Sequence, residues 1–252
     1  MTHQLAYFLC ATPRSGTTLL CDLLSAAEQA GRPQSYYRRQ DIERRALAWG
    51  LRVSDFPNPM DFDRAYLRAV LRDGADETGI FGLRIMWGTV GEMAERFSGL
   101  HPKATIAALF EKVFGPLVYV HVSRRDKVAQ AISLLKAEQS GLWHLAADGS
   151  ERQRAAPAAP VRYDADRIAE LVGELERDDA AWNDFFARHG IAAVRVEYEA
   201  LTACPRTEVQ KILIALRLSP NLADNLAAQT SRMADGESDA WAERFRQWRG
   251  AG

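Results

Sequence analysis

The chain has 252 residues, 47% of them hydrophobic, enough for one large domain with a continuous core. Its formal charge of −1 gives no bulk attraction to a polyanion, so no nucleic-acid partner is expected. Cys10, Cys21 and Cys204 lie far apart without metal-ligand spacing, and no apolar run approaches the ~18 residues of a bilayer span, so a reduced, cytoplasmic chain with no metal and no transmembrane segment is expected.

In chain order, Phe8 to Ala11 reads as a short buried strand, followed by a helix from Thr17 to Ala30 with leucines at helical spacing. Gly31, Arg32 and Pro33 end that helix. Further strands are predicted at Gly79 to Trp87, Pro116 to Ser123 and Ala193 to Tyr198. Helices are predicted at Asp61 to Arg72, Lys103 to Val113, Lys127 to Gln139 and Ala165 to Arg188, with a helical tail after Ser219. Strands alternating with helices imply a mainly parallel central sheet with helices on both faces, an α/β fold in one domain spanning residues 1–252. The segment Ala147 to Tyr163, with two prolines and little apolar periodicity, is expected to be a mobile surface loop around residues 146–163.

The first strand runs into Ala11-Thr-Pro-Arg-Ser-Gly16-Thr17-Thr18, where a nucleotide-binding chain places its phosphate loop. Gly16 and the hydroxyl of Thr18 match that pattern, but Thr17 stands where the lysine belongs. The N–H groups of Ser15 to Thr18 leave a helix N-terminus, where the dipole favours an anion, and Arg14 adds a bidentate guanidinium. Without the lysine, transfer of an ATP γ-phosphate is poorly provided for. A phosphate or sulfate held without metal suits Pro13 to Thr18 better.

A second candidate anion site follows the strand at Pro116 to Ser123. Arg124 and Arg125 end it, a helix begins near Asp126, and Ser133 lies on that helix. Side chains at the carboxyl ends of neighbouring strands can converge on one ligand. Taken alone, the same residues also read as solvated arginines and a helix-face serine.

Together, "TPRSGTTLL" and "RRDKVAQAIS" resemble the sulfotransferases that use 3′-phosphoadenosine 5′-phosphosulfate (PAPS), and within them the bacterial Stf0-like, trehalose 2-sulfotransferase-like group. Looser matches at Phe81–Trp87, Asp178–Ile191, Val196–Leu201 and Arg232–Phe245 extend the resemblance along nearly the whole chain. It implies a P-loop-type three-layer sandwich and PAPS as sulfate donor, with a small-molecule, carbohydrate or glycolipid hydroxyl as acceptor. A homodimer is implied as well. In the family the first motif holds the 5′-phosphosulfate, which carries over to Pro13, Arg14, Ser15, Gly16, Thr17 and Thr18. An Arg and a Ser eight positions apart hold the 3′-phosphate, as Arg125 and Ser133 are. Arg14 and Arg84 are the candidate catalytic residues, Arg84 standing where relatives commonly carry a lysine.

One departure affects the chemistry. The family carries a glutamate base in a Pro-x-Glu-aromatic context after the first helix, and here the matching positions read Gln34 and Ser35. Asp41, Glu43 or His144 could act instead, the acceptor could differ, or catalysis could be impaired. Tyr36 and Tyr37, with the arginines that follow to Arg45, suit a sugar or an anionic acceptor, and equally a solvated helix face. A silent adenosine 3′,5′-bisphosphate binder and a kinase with a degenerate loop are the competing readings.

Overall fold

The structure, a computed structural model, describes residues 5–145, 151–154, 159–224, 226 and 236–250. Strand β1, Leu5–Ala11, is an unbroken apolar run because both of its faces are covered, and Ala6 to Ala11 are fully buried. It pairs in parallel with β2, Ile80–Met86, on one side and with β3, Leu117–Ser123, on the other. A further strand, Val194–Glu197, continues the sheet beyond β3.

Side chains alternate across β1 and so define two cores. Ala6, Phe8 and Cys10 face the larger, aromatic one, built with α3 (Pro59–Gly74), α4 (Trp87–Ser98), α5 (Ile106–Phe114) and α7 (Ala165–Arg188). Tyr7, Leu9 and Ala11 face the other, built with α1 (Thr17–Ala26) and α9 (Pro205–Ala215). The result is an α/β three-layer sandwich with helices on both faces of a parallel sheet. A third cluster joins α6 (Lys127–Ser140) and α7 to α10 (Gly236–Gly250) through Leu135, Leu171 and Phe245.

The predicted strands and long helices are found to within about three residues, except that α1 ends at Ala26 rather than Ala30, short of the left-handed backbone at Glu28. Sequence periodicity did not separate α2 (Arg39–Ala48), α4, the short α8 (Tyr198–Ala203) or α9, nor the antiparallel pair β4 (Leu142–Leu145) and β5 (Glu151–Arg154). That pair takes up part of the expected loop at 146–163; its residues 146–150 and 155–158 lie outside the described residues. With β5 counted, the main-sheet strand Val194–Glu197 is β6, and that sheet runs β2-β1-β3-β6.

That order places the functional loops. The chain leaves β1 toward β2 on one side, then crosses to β3 on the other. The carboxyl ends of β1 and β3 therefore flank the crevice where the strand order reverses, the usual ligand position in such sheets. Trp182 of α7 closes the floor beneath it. Its ring is 1% exposed, stacks on Phe186 and meets Trp87 edge-on, while its Nε1–H donates to the Ala11 carbonyl at 3.0 Å. Among the described residues no helix is long and apolar enough to cross a membrane.

Trp182→Ala is expected to destabilise the fold by about 3–5 kcal/mol in urea titration, since it empties a ring-sized space and strips the Ala11 carbonyl of a donor. A loss below about 1 kcal/mol would show that the aromatic layer collapses around the gap.

Candidate active site

The loop after β1 is bent by two left-handed residues, Arg14 at φ 63° and Gly16 at φ 85°. Gly16 is required for two reasons: its backbone is one L-residues avoid, and a Cβ there would lie 2.6 Å from the Tyr198 ring. Arg14 has no such freedom, so the strain of its left-handed backbone must be offset by its side-chain contacts. Its Nε donates to Ser133 Oγ at 3.0 Å, and Nη1 donates to the Trp143 carbonyl. Burial, and then the neighbouring Arg124, lower its pKa to about 10, and it stays cationic at neutral pH.

A second guanidinium reaches the far end of the loop. Arg84 lies beside Leu9 in the sheet register and donates from Nη1 to Thr18 Oγ1 at 2.9 Å and from Nε to Ser35 Oγ at 2.8 Å. The loop thus has a guanidinium at each end, Arg14 from within and Arg84 from β2. Thr17, at the lysine position, is only 4% exposed. Ser15 is fully buried, its hydroxyl donating to the Thr12 carbonyl at 2.8 Å.

The turn after β3 divides the two neighbouring arginines. Arg124 folds inward, stacked 4.5 Å from the Tyr198 ring, with Nη1 donating to the Arg14 carbonyl at 3.4 Å. Arg125 points outward, its side chain 69% exposed, with Nε 3.2 Å from Glu197 and 3.8 Å from Glu199. Ser133 meets Arg14, as described above. Glu199 accepts from the backbone N–H groups of Arg125 and Asp126, and Asp126 in turn caps α6 through the Ala129 N–H.

Of the residues around the acceptor side, Ser35 is the one brought to Arg84, while the Gln34 side chain is exposed and accepts from Arg45 at 2.9 Å. Asp41 pairs with Arg44 at 3.1 Å and Arg38 at 3.6 Å, Glu43 is exposed, and the His144 side chain lies outside the described residues. Tyr36 and Tyr37 do not line an entrance: they are 0% and 4% exposed and belong to the aromatic core. Their apolar neighbours in three dimensions, Phe81 and Tyr66, were invisible in the local run. Arg38 instead lies over the Trp143 ring at 5.7 Å, next to the carbonyl that Arg14 holds.

The family model for Stf0 sulphotransferase matches residues 6–248. The chain belongs to the Stf0 sulphotransferase family. It is accordingly an enzyme of the transferase class. Two curated relatives, each described as trehalose 2-sulfotransferase, are 28% identical to it. The one from Mycolicibacterium smegmatis aligns over 97% of this chain and 96% of its own length. The one from Mycobacterium tuberculosis aligns over 95% and 94%. A solved sulfotransferase domain from the Synechococcus PCC 7002 olefin synthase superposes with a TM-score of 0.45 at 16% identity, covering 97% of this chain and 95% of that one.

Within this Stf0 sulphotransferase, the residues sequence reasoning passed over are Gln130, Trp143, Tyr198 and Glu199, while Arg124 was named but not separated from Arg125. Each acts through contacts with residues remote in sequence, so no local pattern marks it. Tyr198 and Glu199 lay inside a stretch noted only as a loose match.

Burial raises the Glu199 pKa, but the hydrogen bonds from its own N–H and those of Asp126 and Arg125, with Arg124 nearby, outweigh it and hold the carboxylate below its ordinary 4.5. A depressed carboxylate stabilises the fold above 4.5 and loses that contribution as pH falls through its folded value. Glu199→Gln is therefore expected to cost about 1–2 kcal/mol at pH 7. In paired denaturation series, the gap between variant and wild type should close as pH drops below 4.5; a gap that is constant with pH would remove the charge from the account.

Proposed function

We propose that this enzyme moves a sulfuryl group from PAPS to a hydroxyl of a carbohydrate, glycolipid or related small molecule. The observation that carries this reading is the lysine-free loop with a half-buried guanidinium at each end, Arg14 and Arg84. A sulfuryl group in flight spreads its charge over three oxygens and the bridging oxygen, and fixed planar donors stabilise such charge without an inner metal ion. The trehalose 2-sulfotransferase relatives support a sugar hydroxyl as the acceptor class.

In this reading the acceptor oxygen forms a bond to sulfur as the bond from sulfur to the 5′-phosphate oxygen breaks, and the acceptor proton passes to a base or to water. Adenosine 3′,5′-bisphosphate leaves. The backbone N–H groups of Ser15 to Thr18 and the Pro13 turn cradle the 5′ end, and Arg14 takes up charge on the leaving oxygen. Arg84, held by the hydroxyls of Thr18 and Ser35, faces the transferred group. Arg125 and Ser133 are assigned to the 3′-phosphate. For that, Arg125 must exchange Glu197 for the ligand, an inexpensive exchange at a guanidinium this exposed.

Ser35 favours a second reading. A serine hydroxyl bonded to a guanidinium is no base near neutral pH, and a protein that binds the bisphosphate without turnover would tolerate it.

Adenosine 3′,5′-bisphosphate without metal should raise the melting temperature more than ADP or ATP–Mg²⁺ does. Preference for ATP–Mg²⁺ would sink both readings, whereas binding without transfer of labelled sulfate to any sugar acceptor would establish the second. Arg14→Ala should lower kcat/KM by roughly 10²–10³-fold. Arg125→Ala should weaken the bisphosphate more than adenosine 5′-phosphosulfate; equal losses would detach Arg125 from the 3′-phosphate.

A further inference from the structure

Gln130, on α6, is fully buried, an unusual place for a carboxamide unless every polar atom has a partner. Its Nε2 donates to Thr12 Oγ1 at 2.9 Å and to the Pro13 carbonyl at 2.6 Å. Its Oε1 accepts from Lys127 Nζ at 3.2 Å. The orientation of the amide is fixed from both ends, because an ammonium can only donate and a carbonyl can only accept. Lys127 is anchored in turn by the Arg124 carbonyl at 2.7 Å and by the Asp179 carboxylate of α7. Asp179 also stands 3.7 Å from the buried His121, and both line an open cleft of about 310 Å³ with Arg125.

Three successive carbonyls of the anion loop are therefore tied back into the protein. Ser15 Oγ takes that of Thr12, Gln130 that of Pro13 and Arg124 that of Arg14. In a trans peptide the N–H lies opposite the C=O. Holding the Pro13 and Arg14 carbonyls inward turns the N–H groups of Arg14 and Ser15 toward the opposite face, the arrangement of an anion-binding nest.

We propose that Gln130 is a positioning residue that presets the Pro13–Gly16 loop for its anion, with the Lys127–Asp179 pair fixing the amide that does so. The inference rests on the reading of the loop as a donor site. The Asp179 carboxyl fits this role: burial raises its pKa, but the nearby His121 ring and the hydrogen-bonded Lys127 ammonium outweigh burial and hold it below its ordinary value.

Gln130→Met keeps the volume and removes both donors; Gln130→Glu keeps the acceptor for Lys127 but turns an oxygen on the Pro13 carbonyl. Both should raise hydrogen exchange in the unliganded segment 12–18 and weaken adenosine 3′,5′-bisphosphate roughly tenfold, with donor KM rising more than kcat falls. Thr12→Val, which reaches the contact from the loop side, should add little to Gln130→Met in a double-mutant cycle. Unchanged exchange, raised exchange with unchanged affinity, or strict additivity would each overturn the positioning role. Should wild type fail to bind the bisphosphate, the donor reading falls, while the exchange arm still decides whether Gln130 holds the loop.

Discussion

A loop that offers its N–H groups to an anion must have its carbonyls satisfied on the other side. Both are obligatory hydrogen-bonding groups, and neither can be left bare in the interior. Much of the structure around β1 meets that demand. The carbonyl of Ala11 is taken by Trp182, and the next three by Ser15, Gln130 and Arg124. These partners come from the loop itself, α6, α7 and the end of β3, so the loop's shape depends on the sheet order that brings those elements to one crevice.

The same dependence explains the charged groups packed there. Arg14 and Arg124 are two buried or half-buried cations within reach of each other, an arrangement that costs stability without an anion between them. Burial first, and Arg124 after it, lower the Arg14 pKa. Ring faces and carbonyls, from Tyr198 and Trp143, offset part of that cost, and the Glu199 carboxylate lies near Arg124. A cation held by neutral partners keeps its charge for a ligand, whereas one on a carboxylate has to surrender an ion pair first. Arg84, held by two hydroxyls, follows the same rule. Arg125, on Glu197, is the contrast, and its exposure makes the exchange inexpensive.

What the sequence disclosed follows from this division. Local patterns carried β1, β3, α1, α6 and α7, because each pairs a clear apolar period with a clear stop: Gly16 before α1, Asp126 before α6, Asp164 before α7. The loop Pro13–Thr18 was legible as well, since its chemistry is written in consecutive residues. The core role of Tyr36 and Tyr37 was not, because burial is decided by α3 and β2, which are remote in sequence. Nor was the division between Arg124 and Arg125. Adjacent identical residues point apart at the end of a strand, and only the position of Tyr198 says which is inside.

Ser35 shows where local reading and geometry combine. The matching positions of the resemblance read Gln34 and Ser35, and of the two it is Ser35 that meets Arg84, which also donates to Thr18. A glutamate there would pair with Arg84 and share its charge between two tasks, taking a proton and steadying the guanidinium. Serine can do only the second. On the proposed reading it leaves Arg84 free of a carboxylate partner at this position, which suits a hold on a sulfuryl oxygen, and it leaves the acceptor proton to another group. On the proposed reading, a serine here favours anion retention over proton removal, and an acceptor hydroxyl that is intrinsically more acidic than a sugar's would lose least by it.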